Sequence, residues 1–256
     1  MLLAVDIGNT NIVFGLFEND ILKTHWRIRT ERHRTTDEYW VLVVEFLRLN
    51  GIGPESIHHI VISCVVPPLV PVFEELSRKY IKCDPLLVGP GIKTGIPILY
   101  NNPAEVGADR IVNAIAGFAK YGGPLIIVDF GTATTFDAVS DKGEYLGGAI
   151  FPGLKIALEA LYKSTAKLSP VDILLPDHVI GKSTKESIQS GTVYGFVGVI
   201  DSIVSRMQNE IGKSAKVIGT GGVLPVIQNQ VKCIQTVDPF LTLEGLRLLY
   251  QRNRSS

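Results

Sequence analysis

The chain has 256 residues, enough for one large domain or two of ordinary size, and 46% of them are hydrophobic, so a sizeable core can be buried. Its 25 basic and 25 acidic side chains cancel, which argues against nucleic acid or any other partner held mainly through phosphate-backbone charge. A small anion gripped locally by backbone amides stays open.

The opening MLLAVD lacks a basic leader, and no apolar run reaches the roughly 18 residues of a membrane span, so no membrane is expected. Cys64, Cys83 and Cys233 lie far apart, match no metal or redox spacing, and fit a reducing, cytoplasmic compartment.

Residues 2–6, a second apolar run to Phe17, the turn Glu18-Asn19-Asp20 and the alternating ILKTHWRIRT predict a three-stranded antiparallel meander. Residues 37–50 have helical spacing, with Asp37 as the expected N-cap and a stop before Gly51. HHIVISCV reads as a buried strand, PPLVPVFEELSRKYI as a helix entered through prolines, and PLLVG as a short strand. A helix is expected from Ala104 to Tyr121, ended by Gly122-Gly123.

The meander then returns as strand LIIVDF, turn GTAT, strand TFDAVS, turn DKGEY and strand YLGGAIFPG. Helices LKIALEALYKST and roughly 184–210, strand AKVIGTGG and helix TLEGLRLLYQR complete the chain. SGTVYGFVGVIDSIVSRM is apolar around most of its circumference. Such a helix lies in a core or an oligomer interface, and the interface is expected, because an outer helix of so small a domain should show a polar stripe.

Setting LLAVDIGNTNIVFG over LIIVDFGTATTFDA aligns Val5 with Val128, Asp6 with Asp129 and Gly8 with Gly131. Two β-meander-plus-helix halves, 1–118 and 119–256, would each present an Asp-x-Gly turn to a cleft. That α/β duplication resembles the actin-like (ribonuclease H-like) ATPase fold of sugar kinases and Hsp70.

In Asp6-Ile7-Gly8-Asn9-Thr10-Asn11, Gly8 permits a tight turn whose amides, with the short polar side chains, can hold phosphate oxygens. Asp6 at the strand end can orient Mg²⁺ directly or through water. An ordinary hairpin also uses Asn and Gly; the second copy, Asp129-Phe130-Gly131-Thr132-Ala133-Thr134-Thr135, argues against that reading. There a run of hydroxyls offers donors to phosphate and acceptors to a cation. Gly219-Thr220-Gly221-Gly222 would let a base and ribose approach backbone.

Asp109 and Arg110 are adjacent at a helix start and point about 100° apart, so one could approach a hydroxyl while the other anchors an anion. The plain alternative is a capping Asp beside a surface Arg. Gly181-Lys182-Ser183-Thr184 imitates the end of a P-loop, but Pro176 stands where the first glycine belongs. His58-His59 has no ligand-spaced partner.

DIGNTN at 6–11, GADR at 107–110, DFGTATTFD at 129–137, GGAIFPG at 147–153 and GTGG at 219–222 together resemble the type III pantothenate kinases, in order and over essentially the whole chain. The resemblance implies ATP-dependent phosphorylation of pantothenate to 4′-phosphopantothenate, the first step of coenzyme A synthesis. It implies ATP held by Asp6, Ile7, Gly8, Asn9, Thr10, Asn11, Ile12 and Val13, with Thr132, and Mg²⁺ accompanying the nucleotide. Asp109 would be the proton acceptor within the substrate-binding stretch Gly107, Ala108, Asp109 and Arg110. Tyr100 and Thr184 would help bind pantothenate, and Asp129 would hold K⁺ or NH₄⁺. The family is dimeric, which fits the apolar helix and would share Thr184 across subunits.

Arg110 suits either the pantothenate carboxylate or the moving phosphoryl group. Another kinase or phosphatase of the superfamily would keep Asp109 with a different acceptor pocket. A transcriptional regulator would lack Asp109 or carry a basic, DNA-reading helix.

Overall fold

The computed structural model describes residues 1–165 and 168–254, apart from the side chains of Pro225 and Val226. It divides into two compact units, Met1–Gly95 with Asn101–Ala116 and Leu241–Ser256, and Ile96–Tyr100 with Gly117–Phe240.

In the first unit β1 (Leu2–Ile7), β2 (Asn11–Glu18) and β3 (Ile21–Arg29) form the expected antiparallel meander. β4 (His59–Cys64) and β5 (Leu86–Leu87) extend it in parallel, giving the order β3-β2-β1-β4-β5. Alternation assigns the faces. Leu3, Val5, Ile7, Phe14, Ile60 and Ile62 join Tyr39, Val43 and Leu47 of α1 (Thr36–Leu49) and Phe73 of α2 (Val70–Leu76) in one core. Phe14 stacks on Trp26 at 5.3 Å between centroids. The opposite face is covered by α7 (Leu241–Arg254), whose Leu243 lies so close to β2 that a methyl group on Gly15 would meet it at 2.8 Å.

The N-cap of α1 is Thr35, two residues before the expected one. The Thr35 side chain accepts from the Glu38 amide while Glu38 reaches back to the Thr35 amide, a reciprocal capping box. Asp37 sits in the first turn and pairs with Lys79 at 2.7 Å.

The second unit repeats the plan. β6 (Leu125–Phe130), β7 (Ala133–Val139) and β8 (Tyr145–Pro152) form an antiparallel meander, and β9 (Lys216–Thr220) and β10 (Thr236–Val237) add in parallel, in the order β10-β9-β6-β7-β8. Counted outward from the first strand of each meander, the two orders are the same. Ile126, Val128, Phe130 and Phe136 pack against Leu154 of α4 (Leu154–Lys163), Val193, Phe196, Ile200 and Val204 of α5 (Thr184–Ile211) and both ends of the short α6 (Leu224–Ile227). The helix expected from Ala104 is broken: a 3₁₀ turn covers Pro103–Glu105, and α3 runs Ala108–Tyr121.

Two assignments change. Residues 241–256, placed with the C-terminal half by sequence order, cluster with the first unit, because α7 packs on β1, β2 and β4. The 190–207 segment is only half without a home: Val193, Phe196, Ile200 and Val204 enter their own unit's core, while Gly191, Gly195 and Gly198 face outward.

Candidate active site

In the first unit, the β1–β2 connection is the phosphate-loop candidate. Gly8 N donates to Asn11 O at 3.0 Å, closing the turn. Thr30, just after β3, braces it from the side, its hydroxyl donating to Gly8 O at 2.6 Å and its amide to Thr10 O at 3.0 Å. Asn9 and Thr10 are exposed. Asp6 is half-buried between Val13 of β2 and Ser63 of β4, on the face away from the aromatic core. Ile7 and Ile12 are buried in that core, so of the eight loop residues these two can serve a ligand only through backbone.

The same unit carries the 107–110 stretch. Asn102 opens its approach, accepting from Ala104 N at 3.3 Å and donating to Glu105 at 2.8 Å. Asp109 stands in the first turn of α3, with Oδ1 accepting the Arg110 amide at 2.9 Å. Burial pushes its carboxyl above the ordinary range, opposed by that amide bond and by the Arg110 charge. A mostly desolvated carboxylate is a stronger proton acceptor than a surface one. Arg110 is itself buried.

Gly107 makes room for this geometry: a methyl group there would sit 2.6 Å from Asp109 Oδ1. Gly107→Ala should therefore turn the carboxylate aside and lower kcat roughly tenfold, since misplacement by about 1 Å costs up to ~10² in rate. Nucleotide affinity should stay put. Steady-state kinetics with each substrate varied in turn check both halves of this prediction.

In the second unit Asp129 ends β6 in register with Thr135 of β7 and Thr220 of β9. Two glycines let neighbouring chain come close. Gly221, at φ +98°, has no space for a methyl group, which would lie 2.6 Å from Asp129 Oδ1 and 2.5 Å from Phe130 N. Gly153 N donates to Thr132 O at 3.1 Å, and a methyl group on Gly153 would meet that oxygen at 2.2 Å. The turn through Thr132 is thus seated on Gly153, and the GTGG segment, read from sequence as an adenosine contact, also packs against Asp129. Thr134 does not join the hydroxyl run. It shares the face of Phe130 and Phe151 and is buried with its Oγ1 unpartnered.

Tyr100 lies over Gly147, whose added methyl would be 3.4 Å from its ring. Its approach is fixed by Leu99 N donating to Tyr145 O and Tyr145 N to Pro97 O, both at 2.8 Å. Behind it is a network that sequence reading missed: Asp137, fully buried, accepts from Tyr145 Oη at 2.8 Å and Thr135 Oγ1 at 3.1 Å. The signal was available, since an Asp in a strand with this much apolar flank must find donors.

Thr184 is the first residue of α5, exposed, behind the N-cap Ser183, whose hydroxyl accepts from Glu186 N at 3.2 Å. GKST is therefore a helix start without a preceding strand, not a P-loop. Thr184 lines an open apolar groove of about 490 Å³ with Ala157, Leu161, Ser187, Ile188 and Gly191. Among the described residues no group of three or more His, Cys, Asp or Glu side chains could hold a metal ion, and no helix is long and apolar enough to cross a membrane.

Residues 2–206 match the family model described as type III pantothenate kinase. The chain is 55% identical to the type III pantothenate kinase of Geobacter sulfurreducens over 254 residues, covering 99% of this chain and 100% of that one. It is 52% identical to that of Myxococcus xanthus over 256 residues, covering both chains fully. Among solved structures, a Baf family protein of Campylobacter jejuni superposes with TM-score 0.62 at 20% identity, over 99% of this chain and 100% of that one. A ROK hexokinase of Thermus thermophilus does so at 0.50 and 14%, over 100% and 99%. At such identities the structures speak for the fold alone, the duplicated actin-like one. With the family model covering most of the chain and relatives above 50% identity along all of it, the chain belongs to the type III pantothenate kinase family.

Proposed function

We infer that the protein transfers the γ-phosphoryl group of ATP to the terminal hydroxyl of pantothenate, opening coenzyme A synthesis. Full-length identity of 52–55% to enzymes of that name carries the reading. Phosphoryl transfer asks for positioning and charge stabilisation more than covalent help. The amides and short polar side chains between Asp6 and Val13, with Thr132, hold the phosphates. Asp109 takes the hydroxyl proton as the oxygen bonds to phosphorus and ADP leaves. Arg110 fixes an anion, Tyr100 and Thr184 grip pantothenate, and the protein works in the cytoplasm.

Two cations fit the donor sets. Asp6, half-buried at a strand end, can orient Mg²⁺ brought by ATP, which would neutralise phosphate charge. Asp129, flanked in register by Thr135 and Thr220, offers the mixed carboxylate and hydroxyl oxygens that suit K⁺ or NH₄⁺. The decisive assay follows ADP release with a panel of small hydroxyl compounds, with and without K⁺. Pantothenate should be the preferred acceptor; a sugar turned over faster would overturn the reading.

The working form is a homodimer. Gly191, Gly195 and Gly198 lie on the outer face of α5, and among the described residues nothing beyond the adjoining stretch of the helix itself comes within 4 Å of a methyl group added at any of them. Each costs the helix about 1 kcal/mol relative to Ala, so whatever excludes a side chain there lies outside the chain. The adjoining grooves, about 490 and 180 Å³, are apolar. Sedimentation should show a dimer at micromolar concentration, and Gly195→Leu should yield a folded monomer. A wild-type monomer under those conditions contradicts it.

A further inference from the structure

We propose that Arg32, supported by Arg29, binds the terminal phosphates of the nucleotide, an assignment that rests on the kinase reading above. Three observations lead there. First, the chain leaving β3 is stitched to the phosphate loop by the two Thr30 bonds to Gly8 O and Thr10 O, so residues 29–32 are held beside that loop. Second, Arg32 Nη2 donates to Asn9 Oδ1 at 3.4 Å. A guanidinium only donates, so this contact turns the Asn9 carbonyl oxygen towards Arg32 and leaves the Asn9 NH₂ to face a ligand oxygen. Third, Arg29 stands opposite Asn11 in the β2–β3 register. Its place in the alternation is the face of Asp6 and Val13, away from Trp26 and Ile28.

Both arginines are exposed, and among the described residues neither guanidinium pairs with a carboxylate. Four other cations of the unit are paired with carboxylates: Arg48 with Glu45, Arg78 with Asp84, Lys79 with Asp37 and Arg247 with Asp20. Two unneutralised guanidinium groups beside a turn of outward amides form a cationic flank, and planar forks of this kind match phosphate oxygens in pairs. The Asp6–Val13 loop is read above as the seat of the nucleotide's phosphates, and this cationic flank adjoins it. The ligand class is therefore a nucleoside di- or triphosphate.

The test is calorimetric titration of the full-length protein with the Mg²⁺ complex of a non-hydrolysable ATP analogue, and with AMP. Arg32→Ala should weaken the analogue roughly three- to tenfold, the range for an exposed charge-assisted contact, and leave AMP within twofold. Arg29→Ala should act in the same direction but less. Because both side chains are exposed, unchanged thermal unfolding is expected and separates ligand loss from fold loss. Equal analogue affinity in wild type and Arg32→Ala overturns this inference alone, as does an equal loss for AMP. A wild-type protein that binds no nucleotide overturns the kinase reading as well.

Discussion

Asp109→Asn should lower kcat by about 10²–10⁴-fold, the usual contribution of a positioned general base, with nucleotide affinity nearly unchanged. Asn keeps the size of the side chain and an oxygen able to accept the Arg110 amide, the bond that Asp109 makes at 2.9 Å. It removes only the ability to take a proton. Stability supplies an independent reading. Burial raises the Asp109 pKa above its unfolded value, so its favourable contribution to folding is full below the unfolded pKa and is lost as pH rises through the folded one. At neutral pH the ionised carboxylate is thus a cost, and the Asn variant should melt at the same temperature as wild type or higher. The activity of wild type should fall on acidification with a midpoint above the ordinary carboxylate range, and that limb should vanish from the residual activity of the variant. A solvated capping Asp forecasts otherwise: Asn caps equally well, so the rate would stay within a few-fold of wild type.

Asp129→Ala should remove most activity together with its dependence on K⁺ or NH₄⁺. Wild type should be nearly inactive in Na⁺-only buffer and recover with K⁺. The site explains why the loss should be large. Asp129 is the charged member of a register row with Thr135 and Thr220, and Gly221 lies against its carboxylate, so no other acidic side chain of that row can substitute. Equal wild-type rates in Na⁺ and K⁺ buffers count decisively against a cation at this position. Loss of activity in Asp129→Ala with the K⁺ response of the remainder intact would assign Asp129 a different role.

Much of this was legible in the sequence because the signals were local. Apolar runs that stop at Asp-x-Gly gave both meanders, and the aligned copies gave the duplication. Alternation could have gone further: Thr134 has the parity of Phe136, and that alone places its hydroxyl on the core side. Thr35-x-x-Glu38 is likewise a written capping box, passed over for the Asp two residues on. Other features have no local signature. β10 is two residues long and too short to show a period. The allegiance of α7 depends on which sheet offers it a partner face, and the fit of Leu243 against Gly15 is a long-range fact. At the candidate site, GADR singled out Asp109 as the expected base, but its raised pKa comes from burial, which spacing does not encode. The α5 glycines showed in sequence as an apolar helix; only the packing of Phe196, Ile200 and Val204 inward shows which side of that helix stays exposed.

The most direct test follows the transferred group itself. Wild-type protein is incubated with pantothenate, K⁺, Mg²⁺ and ATP labelled in the γ-phosphoryl group, beside Asp109→Asn, and the products are separated by charge. The label should pass to a single pantothenate-derived phosphate ester in wild type, in step with ADP formation, and that ester should form at least a hundredfold more slowly in the variant. Label released only as inorganic phosphate, or ester formed at similar rates by both proteins, would contradict the assignment of a pantothenate kinase with Asp109 as its base.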